Sequence, residues 1–313
     1  MSTSDEAVVI WGEVLWDRFI SARAGELPTD HLGGAPANVA WHLGQAGGWP
    51  QLITSVGDDE DGRRIIKLLS EYVDTSLVQT DMQRKTGEVT VAIDNGEPRY
   101  TLHAGRAWEY IACTPAVERA ISEAGVLVYG TLSQRTPEGF AAWEKAVGAA
   151  SDRCTVVCDV NLRRKTDGSF VENVRVVERA IEAADVLKVN EREVAVLAET
   201  FGWRDGIDAL RDGGKRVVAV TRGDKGSTLY GKGAPIHIDA PKAAPGGDNV
   251  GCGDAYVALL VLGMTSGWDL ADSARVAARW AAAVAGVRGA TPRFTIEKIT
   301  DMLGDLADEG MVS

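Results

Sequence analysis

Asp248-Asn249-Val250-Gly251-Cys252-Gly253-Asp254-Ala255-Tyr256 is the stretch on which the reading of the fold turns. Two glycines and an Asp stand directly before the apolar run from Ala255 to Met264. Glycines let successive backbone N–H groups face one point, and the N-terminus of the helix that follows adds partial positive charge. Such a nest suits phosphate oxygens, and Asp254 beside it can take a proton from an attacking hydroxyl. The same letters also fit a helix whose Asp is only a cap or a first-turn residue. A dinucleotide fingerprint opened by Gly251 and Gly253 fails, because Tyr256 fills its third glycine position and no early strand precedes it.

Upstream of this turn, short apolar runs alternate with helical stretches. Strands are expected at Ala7–Trp11, Gln51–Val56, Val126–Tyr129, Thr155–Val160, Val186–Val189 and Arg216–Val220. Helices are expected near Ala37–Gln45, Asp61–Tyr72, Pro137–Ala150, Val171–Ala183 and Glu191–Glu199, then at Asp254–Met264 and Ala271–Val287. Near-continuous apolar strands are those covered on both faces, and strand–helix alternation implies right-handed crossovers and a parallel sheet. Thr86–Leu102 differs: Val89, Val91 and Ile93 alternate into an Asn95–Gly96 turn before Arg99–Leu102 extends again, the signature of a small antiparallel hairpin.

Ligands of an open α/β sheet sit at the carboxyl ends of its strands. Asp17, in Gly12-Glu13-Val14-Leu15-Trp16-Asp17 after the first strand, is therefore a candidate acceptor for sugar hydroxyls, with an exposed loop Asp as the alternative. In His31-Leu-Gly33-Gly34-Ala-Pro36-Ala-Asn38 the glycines permit close backbone approach, and Pro36 suits a helix start. Asn38 then falls in the first turn, where its amide can bind a ligand hydroxyl or simply cap. Asn190 and Glu193 lie three apart at a helix start, placed either to hold the water shell of Mg²⁺ or to form a capping box. Asp159-Val-Asn161-Leu-Arg163 and Thr221-Arg-Gly223-Asp-Lys-Gly226 follow two further strands.

Composition narrows the classes. The chain has 313 residues, with 33 Lys and Arg against 45 Asp and Glu, a net charge of −12 that argues against a nucleic-acid or anionic-membrane surface. Four cysteines without zinc spacing, and no secretory or membrane-length apolar segment, point to a cytoplasmic protein. Gly231-Lys-Gly233 lacks the spacing of a P-loop, the acidic run at Asp58–Asp61 fails as a calcium loop, and the four His are scattered.

Taken in order, these pieces resemble the PfkB (ribokinase-like) carbohydrate kinase family over nearly the whole chain. GGAPANVAWHLGQAGG at 33–48 is similar to the family's first signature and DNVGCGDAYVALLVLG at 248–263 to its second. The D-x-N-x-R at 159–163, N-x-x-E at 190–193 and T-x-G-x-x-G at 221–226 fall where the family places them. The resemblance implies one three-layer α/β/α domain over residues 1–313, with a mostly parallel sheet and a β-sheet lid built from parts of 13–20 and 86–102. It implies phosphate transfer from ATP to a sugar hydroxyl, with Asp254 as base and the N–H groups of Gly251, Cys252 and Gly253 stabilising the transferring phosphoryl. Asp17, Gly34, Asn38 and Arg99 would bind sugar; Thr221, Gly223, Gly226, Asn190 and Arg163 would bind ATP. Glu193 and Asn190 would organise Mg²⁺ through water, and Asp248 and Val250 would flank a K⁺ site; a homodimer stays open. The GGAPAN form, GEVLWD before it and Ala107-Trp108-Glu109 after the hairpin look most like bacterial fructokinases. A 2-keto-3-deoxygluconate or other sugar or nucleoside kinase is the alternative, with Arg99, Tyr100 and Arg106 available for a carboxylate. A non-catalytic sugar- or nucleotide-binding regulator on the same fold is the rival from another class. Cys252 where the family has Ala, and Asn249 where it has Thr, are departures.

Overall fold

The computed structural model describes residues 7–20, 29–94, 97–163, 173–212 and 217–306. Chain order is β1 (Val8–Trp11), β2 (Leu15–Ile20), β3 (Thr29–Gly33), α1 (Ala35–Gln45), β4 (Gln51–Gly57), α2 (Glu60–Leu69), β5 (Val78–Asp81), β6 (Gly87–Asp94) and β7 (Glu97–Leu102). Then come α3 (Pro115–Glu123), β8 (Val126–Tyr129), α4 (Pro137–Gly148), β9 (Thr155–Asp159), α5 (Val174–Ala183), β10 (Val186–Asn190), α6 (Glu191–Phe201) and α7 (Gly206–Asp212). The chain continues through β11 (Val217–Thr221), β12 (Ser227–Tyr230), β13 (Ile236–Ile238), α8 (Cys252–Thr265), α9 (Leu270–Ala285) and α10 (Ile296–Leu303).

One sheet runs β13-β12-β11-β10-β9-β8-β1-β4-β5. From β5 to β11 every neighbouring pair is parallel, while β12 and β13 return antiparallel at one edge. Because side chains alternate across a strand, Val8 and Ile10 pack on one face with α1, α2, α8 and α9, while Val9 and Trp11 pack on the other with α3 to α7. These are the three layers expected, and six of the seven parallel strands lie where the apolar runs placed them; β5 (Val78–Asp81) was not expected. The proposed starts at Val171 and Arg216, and the Asn95–Gly96 turn, lie outside the described residues.

The second sheet differs in part from expectation. It has four strands in the order β3-β2-β6-β7. β6 and β7 form the antiparallel hairpin, with Val89 opposite Leu102, but β2 pairs parallel to β6, so the small sheet is mixed. β3 is a strand where the sequence suggested only a glycine-rich loop: Thr29–Gly33 lies along β2, with Asp17 opposite His31. Ion pairs tie this sheet to the body. Arg18 meets Asp30 of β3 at 2.9 Å, Glu88 of β6 at 2.9 Å and Asp61 of α2 at 3.1 Å, while Arg64 of α2 meets Asp30 at 3.0 Å. Among the described residues no helix is long and apolar enough to cross a membrane.

Candidate active site

α8 follows Gly251, its cap residue, whose φ of 77° is left-handed, and among the described residues no side chain caps its first N–H groups. Uncapped N–H groups at a helix start are open donors for an anion. The turn is confined on two sides. A Cβ on Gly251 would lie 2.6 Å from the Ala290 carbonyl oxygen, and one on Gly253 would lie 2.7 Å from Lys188 Nζ. Asp248 braces the approach: its carboxylate accepts the Val250 N–H at 3.0 Å and the Gly289 N–H at 3.1 Å. Burial, with Asp248 and Asp254 nearby, pushes the Cys252 thiol up to about 11, so the departure at this position adds no negative charge to the nest.

Asp254 lies in the first turn of α8 and is buried, with its Oδ2 accepting the Asn38 amide N–H at 2.8 Å. Burial and the repulsion of Asp159 push its carboxyl up to about 7, against the pull of Asn38, Lys188 and Arg163. A base poised near neutrality suits proton abstraction from a hydroxyl. Among the described residues the buried Asn38 Oδ1 has no partner of its own. Below the nest, Lys188 donates to Asp159 at 3.0 Å, both side chains being buried. The neighbouring carboxylates Asp159, Glu193 and Asp254 outweigh the burial of this lysine, which keeps its charge.

Two carboxylates clamp the loop after β9. Glu193 accepts the Leu162 N–H at 2.8 Å on one oxygen and the Asn190 N–H at 2.7 Å on the other. Asn190 in turn accepts the Glu193 N–H at 2.9 Å, so the pair does form a capping box. Glu13, fully buried, meets Arg163 at 3.1 Å. Arg163 is near enough to lower both Asp254 and Asp17. Asp17 itself is pushed up to about 6 by its burial. A Cβ on Gly33 would fall on its carboxylate, and one on Gly34 would lie 2.5 Å from the Glu13 carbonyl oxygen, which is why this corner is glycine.

Thr221 ends β11 directly opposite Asn190, and Gly223 and Gly226, both at positive φ, bound the turn that follows. Arg99 lies on β7, its side chain outside the described residues. Val250 is exposed beside the nest. A cavity of about 690 Å³ is lined by Lys242 and Ala244 from the segment after β13, Gly286 and Val287 after α9, and Lys298 and Met302 of α10; none of the groups above lines it. Sequence reasoning missed Lys188 and Glu13. Lys188 interrupts an apolar strand, and that interruption was the available signal. Among the described residues no three His, Cys, Asp or Glu side chains gather to ligate a metal.

Residues 7–296 match the pfkB family of carbohydrate kinases. The chain is 30% identical over 293 residues to PH1459 of Pyrococcus horikoshii, covering 90% of this chain and 91% of that protein. The crystal structure of that uncharacterized sugar kinase in complex with ATP superposes with a TM-score of 0.80, over 97% of this chain and 100% of the other, at 25% identity. Fructokinase-1 of Zea mays is 28% identical over 279 residues, covering 83% of this chain and 84% of that one. An ATP-bound fructokinase of Xylella fastidiosa shares the fold, with a TM-score of 0.84 over 96% of this chain and 98% of the other, at 21% identity. The match over nearly the full chain, and an aspartate at the mouth of an uncapped glycine turn, make this protein a carbohydrate kinase of the pfkB family.

Proposed function

We propose that this kinase transfers the γ-phosphoryl group of ATP to a hydroxyl of fructose. The observation that carries the reading is Asp254, buried at the nest and gripped by Asn38, whose own oxygen awaits a donor. In this reading the attacking sugar hydroxyl donates to Asp254 and gives it its proton as its oxygen attacks the γ-phosphorus, while Asn38 Oδ1 accepts from a second sugar hydroxyl. The bond to the β–γ bridging oxygen breaks, and ADP leaves. The N–H groups of Gly251, Cys252 and Gly253, with the buried Lys188 charge beneath them, oppose the negative charge on the phosphoryl. Asp17, Gly34 and Arg99 hold the sugar. Arg163 balances the carboxylates around the acceptor or reaches a phosphate. Thr221, Gly223, Gly226 and Asn190 take the nucleotide.

Mg²⁺ would neutralise phosphate charge when bound. Both Glu193 oxygens already accept backbone N–H groups, which fits an ion held through water and phosphates rather than by direct protein ligation. Asp248 and Val250, with the 285–290 loop, would hold K⁺ beside the nest. Titrating K⁺ at constant ionic strength should raise kcat; a flat response removes the ion from the scheme and leaves Asp248 as a turn brace.

Similarity to fructokinases over most of both chains supports fructose. The test is ATP-dependent phosphorylation across ketoses, aldoses, sugar acids and nucleosides. Fructose should give the highest kcat/KM. A preference for 2-keto-3-deoxygluconate would overturn the sugar assignment, and binding without turnover of any acceptor would favour a regulator.

A further inference from the structure

One stripe of α1 touches both halves of the reaction chamber. Asn38 and His42 are four residues apart, and Gln45 follows after three more, so all three lie on one helical face. Asn38 grips the Asp254 carboxylate. His42 is completely buried, with Nε2 2.8 Å from the Ala290 carbonyl oxygen and Nδ1 3.2 Å from the Trp280 indole nitrogen. A carbonyl can only accept and an indole N–H can only donate. The ring is therefore neutral with its proton on Nε2. Burial holds it in that form, lowering its pKa to about 4. Ala290 in turn packs on Gly251, the left-handed residue that opens the nest. The neighbouring Gly289 N–H holds Asp248.

We propose that His42 is a positioning residue for phosphoryl transfer: by holding the Ala290 carbonyl it fixes the Gly251 turn whose N–H groups face the phosphate. The proposal rests on the nest being the phosphoryl site. One rigid helix then sets the base through Asn38 and the anion donors through His42, keeping attacking oxygen and phosphorus in register. Gln45 supplies the contrast. It binds the same returning segment further along, through the Pro292 carbonyl oxygen at 2.9 Å and the Phe294 N–H at 3.0 Å, away from Gly251.

The experiment compares His42→Phe, His42→Gln and Gln45→Leu with the parent. His42→Phe keeps a buried ring but loses the donor. It should lower kcat about tenfold, since small displacements of anion-hole donors carry costs of this order or more, and leave the sugar KM within about twofold. Gln reaches the place of Nε2 and should restore most of kcat. Gln45→Leu should lower the melting temperature yet keep kcat. Unchanged kcat in folded His42→Phe, no recovery with Gln, or an equal kcat loss in Gln45→Leu would each overturn the proposal. If the Phe variant does not fold, His42→Asn, which reaches only the Nδ1 position, replaces it. Amide exchange across 248–254 needs no turnover and should quicken in the variants that lose the donor. Parent protein without kinase activity would sink the phosphoryl-site reading, whereas unaltered exchange would sink the positioning role.

Discussion

Replacing Asp254 with Asn should destroy activity and, at alkaline pH, stabilise the protein. The carboxyl is pushed from 3.8 to about 7, chiefly by burial. Between those values the folded chain holds a proton that the unfolded chain has released, so stability falls as pH rises through this window. Above it the full cost of ionising the buried group is present, on the order of 4 kcal/mol by linkage. Asn carries no such cost. The variant's melting temperature should exceed the parent's by several degrees at pH 8.5, and the two should converge near pH 4. The amide cannot accept the proton, so turnover should fall by about 10²–10⁴-fold. In the parent, kcat/KM should climb about tenfold per pH unit towards a plateau above about 7. A coupled ADP-release assay and thermal denaturation over pH 4–9 read both effects. Turnover within about fivefold of the parent, or a melting difference independent of pH, would refute this account of Asp254.

Asp17→Ala should raise the sugar KM roughly tenfold, since a charged hydrogen bond is worth about 1.5–3 kcal/mol, while the ATP KM holds; equal losses for both would indicate a folding defect. Gly253→Ala places a methyl against Lys188 Nζ and should cut kcat with little effect on sugar KM, as measured by initial rates at saturating sugar. Adding a verified sugar should slow amide exchange in β2 and β6, because closure of the small sheet buries both; unchanged exchange would argue against a lid.

The parallel sheet was legible because strands buried on both faces are largely apolar, and VVIW, VLVY and TVVCD are short runs of that kind set between helical stretches. β3 was not: TDHLG has neither alternation nor a continuous apolar run, and it becomes a strand only because β2 offers a free edge. β12 and β13 escaped for the same reason, being short strands at the sheet's margin. At the site, Asp254 and Asn38 announced themselves through glycine-rich turns leading into helices. Lys188 did not, since a lysine inside VLKVN reads as an outward-facing residue until Asp159 and Asp254 are seen to surround it. His42 was one of four scattered histidines; its importance comes from a carbonyl 248 residues away. The capping geometry at Asn190 and the metal reading share the same letters, and the structure forms the cap.

Among the described residues two ion pairs cross the seam between the small sheet and α2: Arg18 with Asp61, and Arg64 with Asp30. If the small sheet serves as a lid, swinging it away parts both at once. Their side chains are partly exposed, so dissolved ions screen them over a Debye length of about 8 Å at physiological salt. Opening would then be electrostatically braked, whereas the buried Asp254 carboxyl is shielded from the same ions. With such a lid, and product escape limiting turnover, ionic strength would act as a throttle on the enzyme, added salt easing the sheet open without reaching the buried Asp254.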